Sequence, residues 1–171
     1  MKHGLSCLLF FLLVVVLYEQ GICQTTLNQE QPVKGFLYFI DKDSLHLKSV
    51  EKKFPAGLNS HDFGLAIIES LSNGPDLSDL KRTIPKGTKV NSLFILEDGR
   101  AFIDFDQNIR TLRHYSAQSE MLTIYSIVNS LILNIEKINR VKILIQGKTA
   151  QTLWGHIDLD SFYEANMLIV K

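Results

Sequence analysis

Between Met121 and Ile135, apolar side chains recur at three- and four-residue steps: Met121, Ile124, Tyr125, Val128, Leu131, Ile132 and Ile135. Such spacing draws an apolar stripe along one face of an α-helix. Ile127 and Leu133 widen the stripe beyond one face, so this helix should be the most buried in the protein and the remaining chain must cover it. Ser116 or Ser119 is suited to cap its start, and Glu120 lies in the first turn, where the helix dipole favours a carboxylate. Both cysteines, Cys7 and Cys23, precede this region, so it has no disulfide, cysteine-type zinc site or thiol nucleophile to draw on. The cover must come from apolar burial, which a chain of 171 residues can supply within one domain.

Strand signals flank the helix. Phe36, Tyr38 and Ile40 alternate with Leu37 and Phe39, a strand apolar on both faces. Leu45 to Lys52 alternates more wetly, and Asp41-Lys42-Asp43-Ser44 between them is turn chemistry, so the two should form a hairpin. After Pro55-Ala56-Gly57, Gly64, Ile67, Ile68 and Leu71 fall at helical spacing. Asn59, Ser60 or Asp62 can cap this helix, and Asn73-Gly74-Pro75 closes it. Val90–Leu96 and Ala101–Phe105 enclose Asp98-Gly99, the clearest hairpin signal in the chain. Val141, Ile143 and Ile145 form a last strong strand that Gly147 ends.

The first residues read differently. Met1-Lys2-His3 is a short, weakly basic head, and Leu5 to Tyr18 carries no charge. That run fits the apolar centre of a signal peptide and falls short of the ~20 residues that span a bilayer comfortably. Gly21 and Cys23 offer small side chains for cleavage before Gln24. The expectation is therefore export, with 1–23 a signal peptide or else a retained N-terminal membrane anchor. Lipidation of Cys23 ranks last, because Ile22 stands where a lipobox wants a small residue. Residues 24–32 are a polar, flexible lead-in to the folded part. Lys and Arg number 18, as do Asp and Glu, so no basic footprint for nucleic acid exists and no charge draws the chain to anionic lipid. Membrane contact is expected only through an uncleaved N-terminal segment.

Several ordered segments together resemble the GerMN domain of sporulation and spore germination. They are Gly74-Pro75, Ile84 to Val90, Asp98 to Asp104, Ser119 to Leu131, Val141 to Gly147, and Gly155-His156-Ile157-Asp158-Leu159. The resemblance covers roughly Val33 to Ser161, leaving 162–171 as a C-terminal tail. Where the family often has a glycine-rich stretch before the long helix, this chain reads Tyr115-Ser116-Ala117. The resemblance implies an extracytoplasmic domain of the cell envelope, periplasmic in setting, that acts through a protein partner. It carries over no catalytic residue. Within the matching segments, Glu120, Tyr125, Asn129, Gly155, His156 and Asp158 are expected to be structural. The expected class is α+β in two layers: a mixed, largely antiparallel sheet of about four to five strands with two helices on one face. The long helix should bury Ile124, Val128 and Leu131 against Phe94, Ile103 and Ile143 or their immediate neighbours.

Chemistry is sparse. His156-x-Asp158-x-Asp160 and Asp104-x-Asp106 repeat ligand-type side chains along extended segments, but a hard cation wants more oxygens and a shaped loop. Turn capping is the favoured reading, so neither a metal nor a cofactor is expected. His46, His61 and His114 stand in polar stretches as surface residues. No nucleophile elbow, phosphate loop or dinucleotide fingerprint occurs. Three functions remain: a non-catalytic interaction or assembly module, a binder of a small ligand or peptidoglycan fragment, and, least favoured, a hydrolase built on His156 or His114. Asn129 is the most polar side chain on an apolar helix, and it is expected to bond the main chain of Trp154 to Ile157.

Overall fold

The computed structural model describes residues 31–111 and 116–171. The N-terminal leader, most of the lead-in and His114 lie outside the described residues. Strands β1 (Val33–Asp41) and β2 (Leu47–Phe54) form an antiparallel hairpin. Asp41 shapes its turn by accepting from the main-chain N–H groups of Asp43 and Ser44, which hold its carboxyl below the usual range. Helix α1 (Ser60–Asn73) follows, with Asn59 as its N-cap and Gly74 at its end. A two-residue strand, β3 (Leu80–Lys81), joins the far side of β1 at Ile40 and Asp41.

Strands β4 (Val90–Ile95) and β5 (Arg100–Phe105) make the second hairpin around Asp98-Gly99, where Gly99 takes φ of 86°. A 3-10 turn (Gln107–Arg110) follows, then the long helix α2 (Ala117–Ile132), strand β6 (Arg140–Ile145) parallel to β5, and the short β7 (Lys148–Thr149). Ser116 caps α2 in a reciprocal box with Ser119. The class is α+β, and the strands divide into two sheets, ordered β2-β1-β3 and β4-β5-β6-β7.

One core holds most of this together. Ile124, Val128 and Leu131 of α2 meet Ile103, Val141 and Ile143 of the second sheet, and Ile67, Ile68 and Leu71 of α1 join them. The β4 residue in this core is Leu93, 1% exposed, whereas Phe94 points to the opposite face at 60% exposed. The expectation for Phe94 is thereby corrected to its immediate neighbour: Leu93 and Ile95 share the inner face with their partners Ile103 and Ala101, so Phe94 must take the other. Leu133 is also corrected, being 41% exposed just past the last turn of α2. The second face of β1, with Tyr38 and Ile40, packs on Leu122 and on Ile169 and Val170 near the C-terminus.

Polar residues of α2 do a second job. The β1 edge facing α2 is bonded by β3 only at its end, and side chains one turn apart serve the rest. Asn134, just beyond the helix, accepts from Phe36 N–H at 2.7 Å and donates to Phe36 C=O at 2.7 Å. Ser130 accepts from Tyr38 N–H at 3.1 Å, and Ser126 donates to Tyr38 C=O at 2.5 Å. The row Ser126, Ser130, Asn134 thus supplies what a neighbouring strand would, so the edge is closed without one.

Candidate functional site

Glu120 stands at the start of α2, and its side chain is fully buried. One carboxylate oxygen accepts from Leu153 and Trp154 N–H at 2.8 Å each; the other accepts from His156 N–H and faces His156 Nδ1, both at 2.9 Å. Burial is the largest single influence and pushes the carboxyl up, but the three amides and His156 together outweigh it and leave the group below its ordinary value. Gly155 sits within the wrapped segment at φ of 103°, a bend that L side chains rarely adopt.

Asn129 is fully buried about two and a half helical turns on. Its amide donates to Asn166 C=O and accepts from Asn166 N–H, both at 2.9 Å. The expected partner is therefore corrected: Glu120 holds residues 153–156, and Asn129 holds the chain ten residues further on. A carboxylate can gather several N–H donors around a bend, whereas a carboxamide matches one residue's N–H and C=O at once. Tyr125 lies between them and meets Tyr163 edge-on at 5.7 Å. Tyr163 donates its hydroxyl to Asp158 C=O, and burial pushes that phenol up to about 12. Glu120, Tyr125, Asn129, Gly155, His156 and Asp158 thus lie along one seam between α2 and the final segment.

The seam leaves little for chemistry. His156, 38% exposed at its side chain, spends Nδ1 on Glu120, and no hydroxyl is among its described partners. Asp158 accepts from Asp160 N–H, and Asp160 pairs with Lys142. Asp104 accepts from Gly147 N–H and Asn91, while Asp106 accepts from Lys89 N–H and Asn108. Among the described residues no group of three His, Cys, Asp or Glu side chains could hold a metal ion. His46 bonds Ser44 C=O and His61 pairs with Asp62, both on the surface.

Open space lies elsewhere, along β4. A hollow of about 470 Å³ at the start of α1 is lined by Asn59, Ser60, His61, Leu93 to Glu97 and Lys137. A second, of about 410 Å³, lies near the other end of the strand between α1 and Thr88, Lys89 and Val90. Neither is lined by His156 or Glu120. β4 is the end strand of its sheet. Because Leu96 N–H bonds Arg100 C=O, the antiparallel alternation turns the main chain of Phe94 toward β5 and that of Leu93 and Ile95 outward. Sequence reasoning overlooked this edge: β4 is legible as half a hairpin, but which strand ends a sheet depends on the whole topology.

A two-sheet α+β domain, its C-terminal segment held to the long helix by a buried carboxylate, agrees with the resemblance noted in the sequence. The chain belongs to the Germane family, described as sporulation and spore germination, whose model matches residues 36–151. A candidate lipoprotein from Clostridium perfringens is similar at 25% identity over 82% of this chain and 93% of its own, with a TM-score of 0.56. The tandem GerMN domains of the sporulation protein GerM from Bacillus subtilis share 24% identity over 76% of this chain and 45% of theirs, TM-score 0.63. The first GerM domain alone matches at 23% over 75% of this chain and 94% of its own, TM-score 0.59. No curated protein matches the sequence.

Proposed function

We propose that this chain is a non-catalytic domain of the cell envelope that works as a protein–protein interaction or assembly module. The observation that carries the reading is the outer edge of β4: uncharged, unpaired among the described residues, and flanked by open hollows that neither His156 nor Glu120 lines. Strand edges of this kind recruit other chains through main-chain hydrogen bonds, with side-chain pockets adding selectivity. Membership of a sporulation and germination family, which is not a known enzyme family, supports the absence of catalysis. The similarity to a candidate lipoprotein supports an extracytoplasmic site, as does the uncharged run from Leu5 to Tyr18. Among the described residues no helix is long and apolar enough to cross a membrane.

The test uses the full chain in its own cells. Fractionation should place it in the envelope, and mass spectrometry should find an N-terminus at or near Gln24. In vivo cross-linking should then give an adduct that Ile95→Pro abolishes. Proline there removes an outward N–H that β5 does not use, so the protein's own ladder is kept. A cytosolic location, or an adduct pattern indifferent to Ile95→Pro, would overturn the reading.

A further inference from the structure

The strand edges of this molecule are not treated alike. On β1, the edge facing α2 is closed by Ser126, Ser130 and Asn134. β2 presents Lys48, Lys52 and Lys53, and its first residue is bonded by the C-terminal segment: Leu47 accepts from Lys171 N–H and donates to Ile169 C=O. The outer edge of β6 is met at one end by β7 and at the other by Tyr163, which exchanges two 2.8 Å bonds with Val141. Lysines, covering segments and short strands are the usual means of keeping edges apart. On β4, among the described residues, no strand or C-terminal segment bonds the outer edge, and Val90 to Leu96 contains no charge and no proline. Its one irregularity, a register shift between Val90 and Ser92, leaves Ser92 to Ile95 in regular pairing.

We infer that β4 pairs antiparallel with β4 of a second copy of this chain, joining two four-stranded sheets across a two-fold axis at Phe94. The inference rests on the interaction reading above and names its partner. Only outward-facing main chain can form the new ladder, and Leu93 and Ile95 have it. Setting Leu93 opposite the partner's Ile95, and Ile95 opposite the partner's Leu93, engages both on each side. A centre at Leu93 would instead call on Asn91, at the register shift, and a centre at Ile95 would call on Glu97, already in the hairpin turn. The Phe94 register therefore fits best. It places Phe94 directly opposite its own copy in a non-hydrogen-bonded pair, where side chains approach closest.

The side chains fit the same register. Phe94 is 60% exposed, an aromatic surface that an identical ring would cover. Leu93 and Ile95 extend the inner apolar face across the junction, and the hollow beside Asn59, Ser60 and His61 keeps the edge open to approach. A formal net charge of zero adds no repulsion between copies. A single strand pair is small beside the roughly 20–30 residues a side of a stable interface, so the pairing should be reversible and concentration-dependent.

The test uses the full chain, purified in mild detergent, with Cys7→Ser and Cys23→Ser so that no other thiol reacts. Phe94→Cys should form a disulfide-linked dimer under mild oxidation, because the two-fold places the residue opposite itself. Ser92→Cys, on the same exposed face, should stay monomeric, since its partner would be Leu96. Sedimentation of the otherwise unaltered protein should show a concentration-dependent dimer, which Phe94→Lys weakens at least roughly tenfold by opposing like charges. Equal cross-linking of both cysteine variants, cross-linking of neither, or a monomer at all concentrations would overturn the pairing. A photo-cross-linking side chain at position 94 in cells separates this inference from the broader reading. An adduct between two copies supports both; an adduct with another envelope protein overturns self-pairing alone; no adduct overturns both.

Discussion

A single buried carboxylate organises the seam between α2 and the final segment. Glu120 faces three main-chain amides and a histidine, and hydrogen bonds to a charged acceptor contribute about 1.5–3 kcal/mol each at most, less where they share an atom. Glu120→Gln turns a donor toward that all-donor cage, so unfolding stability should fall by about 3 kcal/mol in urea titration. The pH dependence follows from the lowered Glu120 carboxyl. A carboxyl with a depressed folded value stabilises the protein above its unfolded value, about 4.3, and loses that contribution as pH falls through the folded one. The stability gap between the native protein and Glu120→Gln should therefore be full near neutrality and narrow at acid pH. A gap that stays constant down to acid unfolding would refute this. Asn129→Ala should cost about 1–3 kcal/mol, because it removes a fully buried amide that bonds both main-chain groups of half-buried Asn166. Asn129→Asp should be at least as harmful, since it sets an oxygen against Asn166 C=O.

At the scale of elements, α2 shows where sequence and structure part. The apolar stripe gave the helix, its burial and its contact with the second sheet, because three- and four-residue spacing is a local signal. Serines on the same helix, and Asn134 just past it, look like ordinary polar residues, yet they close a strand edge. Thr123 donates to Thr83 C=O, and Ser126, Ser130 and Asn134 serve β1. Nothing in the spacing announces this, since it depends on β1 lying beside the helix, a contact far apart in sequence. Asn129 was legible as a polar residue in need of partners and Glu120 as a first-turn carboxylate, but the segment each would hold was not. The hairpin at Gln146-Gly147 was missed because Gln146, at φ of 54°, adopts a conformation its residue type does not signal. Edge closure is testable by hydrogen exchange. Asn134→Ala should speed exchange of the Phe36 amide, and Ser130→Ala that of the Tyr38 amide, each with little effect on the other. Both amides responding equally to both substitutions would mean global loosening instead.

For the whole molecule, the final residues matter more than their reading as a tail indicates. The family match ends at residue 151, and 162–171 reads as a tail. Yet Tyr163 pairs with Val141 of the second sheet, Asn166 with Asn129 of α2, and Ile169 and Lys171 with Leu47 of the first sheet. Residues 163–171 therefore form a strap across both sheets and the helix between its attachments. Because Ile169 and Val170 also cover Tyr38, Ile40 and Leu122, the strap closes the smaller apolar cluster. Removing Met167 to Lys171 leaves Tyr163 and Asn166 in place and isolates that effect. Half-burying two aliphatic side chains is worth about 2 kcal/mol, so the truncated chain should unfold at lower urea concentration. It should also bind a hydrophobic dye more strongly at the exposed Tyr38–Leu122 cluster. Combined with Asn129→Ala, the losses should be less than additive, because both act by freeing one segment. Strict additivity would show that the strap's two ends hold independently, and an unchanged midpoint would show that the first sheet needs no strap at all.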